Sequence, residues 1–206
     1  MAKQDVLIVT DIQNDFCPGG ALAVKEGDAI VPLVNNIMEG FYRVVATQDW
    51  HPKHQVSFAS NHPGKKPYDV IRLGDITQVL WPDHCVAGTP GADFHPGLQT
   101  DKFHLVVRKG VNLAVDSYST FLENDKKLKT GLDGYLKSIG ADRVFLCGLA
   151  TDYCVFYSAM DSASFGFKTY VIIDACRGID VPENNIERSI QAMKDTGIGI
   201  ISSGDL

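Results

Sequence analysis

Six short runs of this chain are apolar throughout rather than alternating: "DVLIVT" (5–10), "RVVAT" (43–47), "HLVVR" (104–108), "RVFLCG" (143–148), "KTYVII" (168–173) and "IGIIS" (198–202). They are rich in β-branched residues, and unbroken apolarity suits strands covered on both faces. Helical stretches lie between them. "AIVPLVNNIMEGF" precedes the second run, and "LDGYLKSIGA" precedes the fourth, stopping near Gly140, a residue type that caps helix C-termini. "CVFYSAMDSASFG" follows the fourth run, and "ENNIERSIQAMKDTG" precedes the last, with Ile186, Ile190 and Met193 on one face. Strands alternating with helices predict an α/β fold with three α/β/α layers around a six-stranded parallel sheet. The doubly wound order 3-2-1-4-5-6 is the expected arrangement.

Residues 49 to 103 break this alternation. They are rich in His, Pro, Gly and Asp, and only "DITQVL" reads as a short helix. A long irregular stretch inside a compact domain usually carries function. No repeat, low-complexity segment or linker interrupts the 206 residues, so one domain over 1–206 is expected, with 49–103 as a binding loop region within it.

Composition removes several function classes. The net charge is −6 and no Lys/Arg cluster occurs, which argues against nucleic acid and anionic membrane surfaces as partners. The apolar stretch "VLIVT" is too short for a signal-peptide core and soon meets Asp11. No segment approaches the roughly 20 apolar residues of a spanning helix, so a cytoplasmic protein is expected. The five cysteines are odd in number and include no Cys-x-x-Cys. A disulfide framework or an all-cysteine zinc site is therefore not expected.

In an open parallel sheet, ligands bind beyond the carboxyl ends of the strands. Asp11 closes the first strand, Lys109 follows the third, and Cys154 follows the fourth at a helix start. With strands one and four as neighbours, Asp11 and Cys154 meet at the switch point, while Lys109 must reach inward from two strands away. A thiol attacks only as a thiolate, and a helix N-terminus with a nearby ammonium favours that form. A carboxylate can take the thiol proton and return it to a leaving group. Each residue also has a plainer reading: Asp11 as a strand-end cap, Lys109 as a solvated loop residue, Cys154 as buried filler.

A second constellation lies in "QDWHPKH" and "WPDHC". Asp49 and His51 are two apart, so in extended chain they project to the same side. His84 is a candidate third ligand, and three protein ligands leave positions open on a metal. The histidines at 54, 62, 95 and 104 read as surface or structural residues. Phe16, Trp81 and Tyr118 sit in loops near the strand ends, either lining a slot for a flat ring or simply anchoring their loops.

The segments "DIQNDFCPGGAL", "QDWHP…SFAS…WPDHCVAGTPGA" and "GLATDYCV" together resemble the nicotinamidase/pyrazinamidase family of the isochorismatase-like cysteine hydrolases. The likeness extends through "VDSYSTF" and "DACRG". It implies the isochorismatase-like hydrolase fold and the conversion of nicotinamide, and also pyrazinamide, to the acid and ammonia through a Cys154 thioester, in NAD salvage. It implies Asp11, Lys109 and Cys154 as the catalytic triad. Asp49, His51 and His84 become ligands of one divalent metal, zinc first, with manganese or iron as alternatives. Phe16, Trp81 and Tyr118 surround the pyridine ring. A cis bond before Ala150 would present the Ala150 and Cys154 N–H groups as an oxyanion hole. Ser57 stands near where some relatives place a further ligand, so either Ser57 or water alone completes the shell. The small-molecule substrate is then nicotinamide, and a homo-oligomer remains open. Three rival readings are hydrolysis of another small amide or of a vinyl ether, a thiol-based sensor, and dinucleotide binding. The last lacks a G-x-G-x-x-G after the first strand.

Overall fold

The computed structural model describes all residues from Met1 to Leu206. The strands are β1 Asp5–Thr10, β2 Arg43–Asp49, β3 Val70–Leu73, β4 Ile76–Val79, β5 Leu105–Lys109, β6 Arg143–Leu149, β7 Lys168–Arg177 and β8 Gly199–Ile201. The helices are α1 Val31–Met38, α2 Leu132–Ser138, α3 Phe156–Ser164 and α4 Asn185–Asp195. Six strands form one parallel sheet in the order β5-β2-β1-β6-β7-β8, flanked by helices. Counting only these six strands along the chain, the order is 3-2-1-4-5-6. The labels differ because β3 and β4 form a separate two-stranded antiparallel hairpin.

The central apolar runs became strands because both sheet faces are covered there, while the edge strands β5 and β8 stay partly open. All six β1 residues are buried, as are all but the first residue of β2 and of β6. α2 ends before Gly140 (φ 68°), and the turn after α3 contains Gly166 (φ 90°), so glycine supplies the left-handed cap in both places. α4 follows the predicted stripe, with Met193 fully buried against the core. No helix is long and apolar enough to cross a membrane.

One expected element is different. "DITQVL" is not a helix: Ile76–Val79 is strand β4, pairing with β3 in the register Ile71↔Gln78. Gly74 (φ 60°) and Asp75 make the turn, and the β-branched residues on either side favour the pleated form.

The region between β2 and β5 is tied to the sheet's carboxyl end by its own backbone. Trp50 N–H donates to the Lys109 carbonyl (3.0 Å), and His51 N–H to the Cys85 carbonyl (3.0 Å). Ala87 N–H returns to the His51 carbonyl (2.8 Å), and Trp81 N–H donates to the Ser57 carbonyl (2.8 Å). These bonds bring the His84 and Trp81 stretches against the end of β2.

Candidate active site

Asp11 turns out of β1 with a left-handed backbone (φ 48°), a conformation uncommon outside glycine and concentrated at functional sites. Lys109 is the last residue of β5. β6 ends at Leu149, the Leu149–Ala150 bond is cis, and Cys154 lies in a π-helical turn, Thr151–Val155, that opens α3. Gly148 lets β6 approach β1 here, since a side chain at that position (φ 115°) would collide with the Thr10 backbone. Asp11, Lys109 and Cys154 are all buried.

The lysine does reach inward. Its Nζ lies 2.8 Å from Asp11 Oδ2, 2.5 Å from Asp49 Oδ1, 3.3 Å from Cys154 Sγ and 3.2 Å from the Ser117 carbonyl. One ammonium therefore serves two carboxylates and the thiol. Thr47 Oγ1 donates to the other oxygen of Asp11 (2.5 Å). Gln13 fixes Asp49 from the backbone side, accepting from its N–H and donating to its carbonyl, both at 2.8 Å.

Burial pushes the Asp11 carboxyl above its ordinary range, with Lys109 pulling the other way. Burial also pushes the Cys154 thiol well up; Lys109 opposes this while Asp11 and Asp49 add to it. Burial works against charge on Asp49 too, yet Lys109 and the two histidines prevail and hold it below the usual carboxylate range. At rest the site therefore pairs a neutral thiol with a carboxylate of raised basicity, with a fixed cation between them. That arrangement suits proton transfer at the moment of attack.

Asp49, His51 and His84 each offer one ligand atom, and these atoms lie within 4.8 Å of one another. Both rings are oriented from behind. His51 Nδ1 is 3.0 Å from the Gly110 carbonyl and His84 Nδ1 is 2.8 Å from the Pro82 carbonyl. A carbonyl only accepts, so each Nδ1 carries a proton and each Nε2 faces Asp49 Oδ2, at 3.5 and 3.9 Å. Burial opposes charge on His51, but Asp49 and Asp116 lift it to about 9; burial and then His51 push His84 down to about 4. Two imidazole nitrogens and a carboxylate converging in a dry site fit a divalent ion that accepts nitrogen and oxygen. The Ser57 hydroxyl is buried without a hydrogen-bond partner, one residue from Phe58, whose ring packs edge-on against both His51 and His84.

Phe16, Trp81 and Tyr118 line one cavity together with Ala150, Cys154 and the three possible metal ligands. Trp81 stands nearly perpendicular to Tyr118 (centroids 6.1 Å apart) and to Tyr153 (4.7 Å). The Ala150 N–H donates to no group of the protein.

An isochorismatase domain model matches residues 5–205. The chain belongs to the isochorismatase family. A nicotinamidase of Acinetobacter baylyi is 47% identical over 205 residues, covering 100% of this chain and 95% of that protein. A solved nicotinamidase/pyrazinamidase of Acinetobacter baumannii is 48% identical, with a TM-score of 0.98, covering 100% of this chain and 99% of that one. A pyrazinamidase of Pyrococcus horikoshii, solved in complex with zinc, is 37% identical, with a TM-score of 0.78, covering 97% and 99%.

In this isochorismatase-family chain, Cys154, the three possible metal ligands and the three aromatic residues picked out from the sequence line one cavity, and Lys109 joins Cys154 to Asp11 outside its lining. Several neighbours were not picked out. Leu22, Asp116, Tyr153 and Ile179 also line the cavity, and Thr47 and Gln13 hold Asp11 and Asp49. Tyr153 and Asp116 lie inside stretches singled out by resemblance. Leu22 closes another such stretch, "DIQNDFCPGGAL", whereas no local pattern marks Ile179, because its place depends on how separate loops fold over the sheet.

Proposed function

We propose that this chain hydrolyses nicotinamide to nicotinate and ammonia, takes pyrazinamide by the same route, and so returns a pyridine ring to NAD salvage. The observation that carries the reading is the reach of Lys109 Nζ to Asp11, Asp49 and Cys154 at the base of an aromatic-lined cavity. The relatives' names give the substrate class.

In this mechanism Asp11 takes the Sγ proton of Cys154 as the sulfur attacks the carboxamide carbon. Lys109 steadies the charges on both groups. The carbonyl oxygen becomes an oxyanion and accepts from the N–H groups of Ala150 and Cys154, a type of contact worth about 10²–10³ in rate. The carbon–nitrogen bond breaks, and the proton on Asp11 goes to the leaving nitrogen as ammonia departs. Asp11 then takes a proton from water, whose oxygen attacks the thioester carbon. Nicotinate leaves and the thiolate regains its proton. Phe16, Trp81 and Tyr118 hold the ring so that its carboxamide faces the sulfur.

Asp49, His51 and His84 would hold one divalent ion, zinc in the first instance and manganese or iron as alternatives. When bound, such an ion supplies a Lewis-acidic position able to take a lone pair from a ring nitrogen. The test is ammonia release from nicotinamide by purified protein, before and after chelation, with elemental analysis. Turnover that is lost in Cys154→Ala while the fold and metal content persist is the expected result. Wild-type protein that releases no ammonia, or a Cys154→Ala variant that still does, overturns the reading.

A further inference from the structure

The β3–β4 hairpin lies outside the main sheet and is largely open to solvent. Val70 and Arg72 are exposed, and Ile71, Leu73, Ile76 and Val79 are only half-buried. An isolated two-stranded hairpin is marginal in water. Its one fully buried side chain is not apolar: it is Gln78, 1% exposed. A buried amide is costly unless every polar atom finds a partner.

All of its polar atoms are partnered. Gln78 Nε2 donates to the Tyr118 hydroxyl (2.8 Å) and to the Val79 carbonyl (2.7 Å), and its Oε1 accepts from Asn124 Nδ2 (3.2 Å). The direction is fixed, because a carbonyl cannot donate and a reversed amide would set two oxygens against each other. The Tyr118 oxygen receives a second donor, Trp81 Nε1, at 3.0 Å. An indole N–H can only donate. Asn124 closes the loop, its Oδ1 accepting from the Tyr118 N–H (3.0 Å). Two of the three aromatic residues expected around the ring are thus tied at one oxygen, and a hairpin residue holds that oxygen.

We propose that Gln78 is a positioning residue for the substrate ring: through the Tyr118 hydroxyl it sets the planes of Tyr118 and Trp81. The inference rests on the proposed ring-binding role of that cavity. Gln78 does not line the cavity and touches no reacting atom, so its effect belongs in ring capture and not in the chemical step. The hairpin is then the frame of the aromatic wall. A short stretch of chain runs from Gln78 through Trp81 to His84, from frame to wall to the possible metal centre.

The test is steady-state kinetics on Gln78→Leu, Tyr118→Phe and the double variant, with nicotinamide as substrate, alongside melting temperature and acrylamide quenching of tryptophan emission. Gln78→Leu keeps the side-chain size and removes both donors. Its KM is expected to rise about fivefold, as loss of one ordinary hydrogen bond would give, with kcat within about twofold. The two substitutions are expected to be non-additive, since both act at one oxygen. In a Trp50→Phe background, which leaves Trp81 as the one tryptophan, quenching of Trp81 is expected to increase. An unchanged KM in a folded Gln78→Leu, or fully additive effects with Tyr118→Phe, overturns the inference. Wild-type protein without turnover is a failure of the functional reading instead. In that case the quenching decides: unchanged access to Trp81 in Gln78→Leu overturns the positioning role.

Discussion

The same strands end in two very different ways. At the amino ends of β1 and β6, Asp5 faces Arg143 in register, and the guanidinium takes both carboxylate oxygens at 2.7 and 2.6 Å. There is one anion for one cation, and the arginine is 37% exposed. At the carboxyl ends of β1, β2, β5 and beyond β6, two carboxylates and a thiol crowd one lysine with no solvent to share the charge. The first arrangement stabilises a fold. The second is poor as a stabilising device, since buried charge is costly to desolvate and the pairing is uneven. Its geometry makes sense as a place where a proton and a developing charge are handled.

The comparison breaks at its strongest point if the thiol is inert. Cys154→Ala is expected to lower nicotinamide turnover by about 10⁴-fold or more, with melting temperature and metal content held. Cys147→Ala, in the buried body of β6, is expected to keep turnover, because that sulfur faces only the Ile8 carbonyl and the core. Ammonia release and a thermal melt on both variants check this pair. Equal loss in the two would mean that the carboxyl end has no special chemistry.

Lys109→Met tests whether the carboxyl end is held together by its single cation. It leaves Asp11 and Asp49 buried side by side without the cation they share, and a cost of about 3–5 kcal/mol is expected in urea unfolding. His84→Ala should separate the metal site from the fold. Metal content in elemental analysis is expected to fall, and turnover with it by about 100-fold, while the urea midpoint of metal-free protein changes far less than for Lys109→Met. If His84→Ala retains its metal, Asp49 and His51 do not need it as a third ligand.

Legibility in the sequence followed the same division. The strands stood out because unbroken apolarity is what a doubly covered sheet demands, and Asp11, Lys109 and Cys154 were readable as residues at strand ends. Distance was not readable. That Lys109 spans two strands to the sulfur depends on the β2–β5 register Asp49↔Lys109, which no local pattern encodes. The region between β2 and β5 showed the reverse. Its histidines and tryptophan drew attention as chemistry, while its structure was misread at "DITQVL". There Gln78 interrupts any simple periodicity because its side chain answers to Tyr118 and Asn124, which lie far along the chain.

The smallest effect belongs to the amino ends. Asp5→Asn removes one charge from the Arg143 pair but keeps the shape, so a loss of about 1–2 kcal/mol is expected at neutral pH. The sign of its pH dependence separates charge from packing. Burial raises the Asp5 carboxyl, but Arg143 and the Ala2 N–H prevail and hold it below its ordinary 3.8. The folded state then holds this proton less tightly than the unfolded state does. The pair's contribution is fully present above the unfolded value and fades as pH falls through the lower folded value. Urea midpoints for wild type and Asp5→Asn should therefore differ at pH 7 and converge in strong acid. A gap that stays constant through acid would mean that Asp5 stabilises by fit and hydrogen bonding alone. The amino end would then be no electrostatic counterpart to the lysine-centred cluster at the other end of the same strands.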